Sequence, residues 1–226
     1  MADIAANIAR IRARIAEVAA LSGRRPDSVL LVAVTKSVGP DVIRGAVAAG
    51  LRVFGENRVQ EAREKIPLVP GVSWHLVGSL QRNKVKEALR LFHLIHSVDA
   101  LPLAEEISRQ ALRADAGRPA EILIQVNISA EPQKHGVSFD GTAELAARVL
   151  RLPGARVRGL MGIAPRVEEP GRARPFFARL RETRDRVNAL VPGAGLAELS
   201  MGMTDDFEVA IEEGATMVRI GRALFA

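Results

Sequence analysis

Eight short apolar runs rich in β-branched residues alternate along the chain with seven stretches of helical length and pattern. That alternation constrains the fold more than any other feature. The runs are Val29–Thr35, Leu51–Gly55, Ser73–Ser79, Leu94–Asp99, Glu121–Ile128, Val157–Ala164, Ala197–Met203 and Met217–Ile220. Between them lie Pro40–Ala49, Arg58–Ile66, Gln81–Leu91, Leu101–Ala116, Thr142–Leu152, Arg172–Leu190 and Asp205–Glu213. Strands separated by helices pair in parallel, because a parallel connection must cross over. Continuous rather than alternating apolarity suits strands covered on both faces. Eight such units within 226 residues predict an α/β protein built as a single (β/α)₈ TIM barrel, one domain over residues 1–226. An open doubly wound sheet is the alternative. Its glycine fingerprint is missing, since Gly193-Ala194-Gly195 precedes a strand and lacks the third glycine.

Only six residues follow the last run, too few for a full eighth outer helix. The segment Ala2 to Leu21 carries Ile4, Ile8, Ile11, Ile15 and Val18 at steps of four and three, one face of a helix. It is predicted as an extra N-terminal helix that docks where the eighth is lacking.

Composition narrows the chemistry. The chain has no cysteine, which excludes disulfides, thiolate metal sites and a cysteine nucleophile. It has no tyrosine, so no step can use a phenol as acid or base. The balance of 32 basic against 26 acidic residues gives a net +6, which favours anionic partners. These charges are scattered, and the seven Phe and one Trp sit mostly inside apolar segments. A solvated basic surface is therefore expected, with neither nucleic acid nor membrane as partner. No apolar stretch approaches the roughly 20 residues a membrane helix needs. The N-terminal segment has no signal-peptide layout, and Asp3 and Glu17 sit within its packing stripe. The expected location is the cytoplasm.

Barrels of this kind place their chemistry at the C-terminal ends of the strands. Those ends read Lys36; Glu56 and Asn57; Gly78 and Ser79; Asp99; Asn127; Gly162; Ser200 and Gly202; Arg219 and Gly221. Lys36 emerges from Val32-Ala33-Val34-Thr35. It is either a lysine that snorkels from the rim or, if partly desolvated, an amine nucleophile for a carbonyl group. In the segments Leu199–Asp206 and Val218–Arg222, Ser200 supplies a hydroxyl, and Gly202 and Gly221 permit close approach of an anion. Gly221-Arg222 opens a short terminal helix whose free N–H groups attract phosphate. Thr204 also reads as a helix N-cap followed by Asp205 and Asp206. Arg219 points inward by strand alternation and needs a partner, a ligand nitrogen or a carboxylate. None of His75, His93, His96 and His135 makes a metal pattern with nearby acids. His75 is expected as a hydrogen-bonded interior histidine. His135 is open between a surface turn and a ligand contact.

Taken together, several blocks carry a resemblance. They are Val34-Thr35-Lys36, Phe54-Gly55-Glu56-Asn57-Arg58-Val59-Gln60, Trp74-His75-Leu76-Val77-Gly78 and Gln81-Arg82-Asn83-Lys84. His96-Ser97-Val98-Asp99, Val126-Asn127-Ile128, Lys134-His135-Gly136, Arg158-Gly159-Leu160-Met161 and the Ser200 and Arg219 segments continue in the same order. From about residue 30 to the C-terminus, the chain resembles the pyridoxal 5′-phosphate homeostasis proteins, the YggS/PROSC family.

The resemblance implies a barrel like the N-terminal domain of alanine racemases, monomeric or weakly associating. It implies pyridoxal 5′-phosphate as cofactor, held as an internal aldimine by Lys36, with Arg219 at the pyridine nitrogen. Ser200, Gly202, Gly221 and Arg222 match the phosphate cradle, and Asn57 and Met161 match residues that line the cofactor. Thr204 stands where serine is common, Ala226 replaces a usual final glycine, and Ala130-Glu131-Pro132 alters a loop. A racemase of this fold works with a lysine and a tyrosine, and this chain lacks the tyrosine. The implied role is therefore a carrier that holds the cofactor and delivers it to apoenzymes, with no catalytic residues assigned. Two other readings are a weakly active pyridoxal-phosphate enzyme on amino acids, and a Schiff-base aldolase on a phosphorylated sugar.

Overall fold

In the computed structural model, residues 3–114, 118–129, 131 and 133–226 are described. The strands are β1 (Leu30–Val34), β2 (Val53–Glu56), β3 (Ser73–Leu76), β4 (Leu94–Val98), β5 (Ala120–Val126), β6 (Ala155–Gly162), β7 (Glu198–Ser200) and β8 (Met217–Ile220). The helices are α1 (Ile4–Leu21), α2 (Pro40–Ala48), α3 (Val59–Lys65), α4 (Val85–Leu91), α5 (Leu101–Arg113), α6 (Gly141–Val149), α7 (Arg174–Leu190), α8 (Phe207–Glu212) and α9 (Arg222–Phe225). The eight strands form one closed parallel barrel in sequence order. Pairing of β1 with β8, from Leu30 opposite Met217 to Ala33 opposite Ile220, closes it.

The core divides into two. Inside the barrel, Val32, Val77, Leu94, Leu123, Met161 and Met217 make one cluster. A second, larger cluster fills the layer between strands and helices, with Phe54, Trp74, Ile95, Ile122 and Phe177 among its members. Alternate residues of each strand serve the two clusters, which explains why the runs are apolar throughout.

The N-terminal helix does what its isoleucine stripe predicts. Asp3 caps α1 by accepting from Ala6 N at 3.0 Å, and Ile8, Ile11, Ile15 and Val18 are buried. At about 1.5–3 kcal/mol for each fully buried side chain, this stripe is the main force that docks the helix. Polar contacts fix its place against α8 and α9: Arg14 pairs with Glu208 at 2.5 Å, and Asn7 Nδ2 donates to the Leu224 carbonyl at 3.3 Å.

Several boundaries differ from expectation at the strand ends. The third run stops at Leu76 rather than Ser79, and the seventh at Ser200 rather than Met203. A Cβ on Gly78 would come within 2.2 Å of the Asn57 carbonyl oxygen, so the chain must leave the sheet there to pass β2. Gly202 has φ of +91°, which breaks the strand. The helix expected from Gln81 begins as a 3₁₀ turn over Arg82–Lys84. Ala2, Asp115, Ala116, Ala130 and Pro132, which belong to the expected N-terminal helix, the fourth of the expected inter-strand helices and the altered loop, lie outside the described residues.

Candidate functional site

A cavity of about 610 Å³ opens at the C-terminal mouth of the barrel. Of the expected site residues, Lys36, Asn57, Arg219, Gly221 and Arg222 line it, joined by Gln125, Asn127, His135 and Thr204. Ser200, Gly202 and Met161 are buried beneath this lining instead.

Lys36 lies two residues beyond the end of β1, after Thr35. Its side chain is exposed, so burial does not supply the desolvation on which the nucleophile reading counted. Among the described residues, no carboxylate pairs with its amine, which is free to meet an incoming group. Ser37, which follows, has φ of +61°, an unusual conformation for a residue with a side chain.

Beneath the cavity runs a buried chain of four polar side chains from four strands. Arg219 on β8 donates through Nη1 to the Ser200 hydroxyl at 2.7 Å and through Nη2 to the Gly162 carbonyl at 2.9 Å. Ser200 Oγ lies 2.9 Å from His96 Nδ1, and His96 Nε2 lies 3.0 Å from His75 Nδ1. Burial pushes Arg219 down to about 10, with Asp206 opposing, so it remains cationic at neutral pH. Burial first, then the His93 charge, lowers His75 to about 4. Burial also holds His96 well below the ordinary histidine value, with the His75 and Arg219 charges adding to it. Both imidazoles are thus neutral at pH 7. In each the proton sits on one nitrogen, and the chain needs one donor and one acceptor at every link.

The partner of Arg219 within the protein is therefore a hydroxyl and a carbonyl, not a contacting carboxylate. Asp206, 9% exposed, stands nearby and accepts from Met203 N at 2.6 Å; burial raises its carboxyl above the usual range. The start of α8 at Phe207 corrects the N-cap expectation. Asp206 is the residue that precedes α8, and Thr204 faces the cavity instead.

At the rim, Arg222 is exposed and pairs with both oxygens of Asp205 at 2.5 and 2.6 Å. A Cβ on Gly221 would sit 3.1 Å from the Val34 carbonyl oxygen, so its bareness lets β8 and β1 close up beneath the mouth. Gly202 serves packing more directly: a Cβ there would meet the Ala210 Cβ at 2.6 Å. His135 is an exposed rim residue 3.7 Å from Asp99, and so both a surface residue and part of the cavity lining.

His96, Gln125 and Lys65 are not singled out by the sequence as site residues, and Glu56 appears there only as a polar strand end. His96 was within reach, because alternation along β4 puts it on the same face as inward Leu94. Lys65 carries no such signal; it reads as an ordinary charge on a surface helix. Among the described residues no cluster of acids and histidines fits a metal ion, and no helix is long and apolar enough to cross a membrane. A second cavity of about 800 Å³ lies at the opposite end of the barrel. Among its lining groups, Thr216 donates to Glu198 at 2.6 Å, and Arg12 to the Gly50 carbonyl at 2.8 Å.

The cavity at the mouth fits a phosphorylated aromatic aldehyde. It offers an exposed amine without a partner, a buried cation on its floor and a bare glycine beside an arginine at its edge. A family model described as alanine racemase, N-terminal domain, matches residues 6–226. Over its whole length the chain is 44% identical to a pyridoxal phosphate homeostasis protein of Pseudomonas aeruginosa, 96% of which is covered. It is 43% identical to one of Aquifex aeolicus over 96% of this chain and 95% of that one. The structure of PipY from Synechococcus elongatus, solved with PLP bound, superposes with a TM-score of 0.82 at 39% identity, covering 94% of this chain and 100% of that one.

Proposed function

The chain belongs to the pyridoxal phosphate homeostasis proteins, within the alanine racemase N-terminal domain family, and from that membership we propose that it binds pyridoxal 5′-phosphate at the barrel mouth, as a carrier rather than a catalyst. The observation that carries the site assignment is the free, exposed amine of Lys36 at the edge of a cavity floored by Arg219. The cofactor supplies an aldehyde carbon, which condenses with a primary amine and releases one water.

Each residue then has a task. Lys36 provides the amine and holds the cofactor covalently. Arg219 has donors beyond its two protein bonds and directs one at the ring nitrogen. A cationic donor there leaves that nitrogen without its own proton, which weakens the ring as an electron sink. Gly221 and Arg222 take the phosphate at the start of α9, with Ser200 and Gly202 supporting that edge from β7. Asn57 flanks the ring, and Met161 closes the floor beneath it.

Lack of tyrosine removes the phenol that racemases of this fold, which the chain resembles, use as their second base. The geometry thus supports retention and release of a reactive aldehyde better than turnover of an amino acid. The proposed setting is the cytoplasm, with pyridoxal-phosphate apoenzymes as recipients and the protein acting as a monomer or weak dimer.

The test is the visible spectrum of protein loaded with pyridoxal 5′-phosphate, before and after borohydride, for wild type and Lys36→Ala. A band that borohydride converts to a stable adduct in wild type alone supports the anchor. Cofactor transfer to an apoenzyme no faster than from free solution would remove the delivery role.

A further inference from the structure

Glu56 ends β2 and is completely buried. A Cβ on Gly55 would touch Val32, Val34 and Val77 inside the barrel, so Glu56 turns to the helix side of the sheet. Its Oε1 accepts from the Thr35 hydroxyl at 2.7 Å and from the Lys65 ammonium at 2.8 Å. Its Oε2 is buried with no hydrogen-bond donor among the described residues. A buried pair with one bare oxygen is a poor device for stability: desolvation offsets the attraction, and an apolar pair of similar size would serve as well.

Its geometry points elsewhere. Lys65 Nζ, at the end of α3, also donates to the Thr35 carbonyl at 2.8 Å. Thr35 N donates to the Gly55 carbonyl at 2.9 Å, and Val38 N returns to the Thr35 carbonyl at 2.9 Å. Every polar group of Thr35 is therefore held, and the next residue is Lys36. Beyond it the left-handed Ser37 turns the chain away from the strand. Lys36 thus stands exposed on a base fixed from below, which limits the directions its amine can take.

We propose that Glu56 and Lys65 are positioning residues for Lys36: by clamping the Thr35 peptide, they place the Lys36 amine for attack on the aldehyde carbon of pyridoxal 5′-phosphate. This rests on the reading of Lys36 as the covalent anchor. The neutral amine nitrogen forms a double bond to the carbon as the C=O bond breaks, and the amine's two hydrogens leave with the aldehyde oxygen as one water. The clamp acts on this step and not on capture of the phosphate, whose contacts come from β7, β8 and α9.

Two ligands separate the steps. The rate of borohydride-trappable attachment is measured with pyridoxal 5′-phosphate. Equilibrium binding is measured with pyridoxine 5′-phosphate, which has ring and phosphate but no aldehyde. In Glu56→Gln and Lys65→Met, attachment should slow roughly tenfold or more, while pyridoxine 5′-phosphate binding stays at the wild-type value. Lys65→Arg, which can again donate to the Thr35 carbonyl, should recover part of the rate. Glu56→Gln keeps the shape and the Thr35 bond, so it remains informative if Lys65→Met fails to fold. Equal losses for both ligands, or wild-type attachment rates in both variants, would overturn the proposal. Trapped adduct that persists in Lys36→Ala would instead overturn the anchor reading, and the clamp with it.

Discussion

Arg219 on β8 donates to the Ser200 hydroxyl on β7 at 2.7 Å, and neither side chain has more than 5% of its surface exposed. The only charge in this interior chain is thus held by neutral groups, with Asp206 acting from a distance. Ser200 is the link between the arginine and the two histidines. Its hydroxyl can donate to His96 or accept from it while it accepts from Arg219, so one atom serves both neighbours.

Ser200→Ala should therefore cost more than a single hydrogen bond. It strands an Arg219 N–H and a His96 nitrogen in a buried site, and each unsatisfied group costs about 1–3 kcal/mol. Urea unfolding should show a loss of about 2 kcal/mol or more, and cofactor binding should weaken because Arg219 keeps only its bond to the Gly162 carbonyl. A variant as stable as wild type would mean that solvent reaches the chain.

Stability should fall in acid through the buried histidines. His75 has a folded value of about 4 against 6.5 for an ordinary, solvated imidazole. The unfolded chain therefore binds the proton first as pH falls. The contribution is fully present above pH 6.5 and is lost progressively down to about pH 4, amounting to about 3 kcal/mol for His75. His96 acts in the same direction. The measurement is the urea midpoint across this range. His75→Gln should flatten the slope, and an unchanged slope would put the titration elsewhere.

Gly202→Ala should destabilise the fold by about 2 kcal/mol or more. The φ of +91° disfavours any side chain, and the new Cβ would meet the Ala210 Cβ at 2.6 Å. Thermal unfolding measures the loss. Gly171→Ala, where no atom lies within 4 Å of the added Cβ, is the control expected to leave the midpoint in place.

Asp205→Asn should free Arg222 from its exposed ion pair. Affinity for pyridoxine 5′-phosphate should rise about two- to fivefold at low salt, and the gain should fade at high ionic strength, as expected for a surface charge. Titration at two salt concentrations reads this. Weaker binding would show that Asp205 orients Arg222 toward the ligand rather than competing for it.

Some of this was readable from residue order. The apolar runs marked the strands because barrel strands are buried on both faces, and the isoleucine stripe marked α1 as a packed helix. Lys36, Asn57 and Arg219 were legible as polar groups at strand ends, and the structure puts all three on the lining of the mouth cavity. The burial of Ser200, Met161 and Gly202 below the cavity was not readable, since strand-end position does not give depth along the barrel. Thr204 reads as a cap because a hydroxyl before two acids satisfies that pattern locally; the helix in fact starts two residues later, after Asp206.

By itself the sequence determined the architecture and the chemical inventory. Periodicity is a local property, and so is a missing residue type: the alternation demands a parallel sheet with crossover helices, its eight units favour closure into a barrel, and the lack of cysteine and tyrosine removes whole mechanisms. Only the tertiary structure decided which polar groups meet. His75, His96, Ser200 and Arg219 are joined across separations of 21, 104 and 19 residues, and Lys65 reaches back 30 residues to the Thr35 carbonyl. Such contacts depend on strand register and barrel closure, which position side chains to within an ångström. Spacing along a chain carries no such distance.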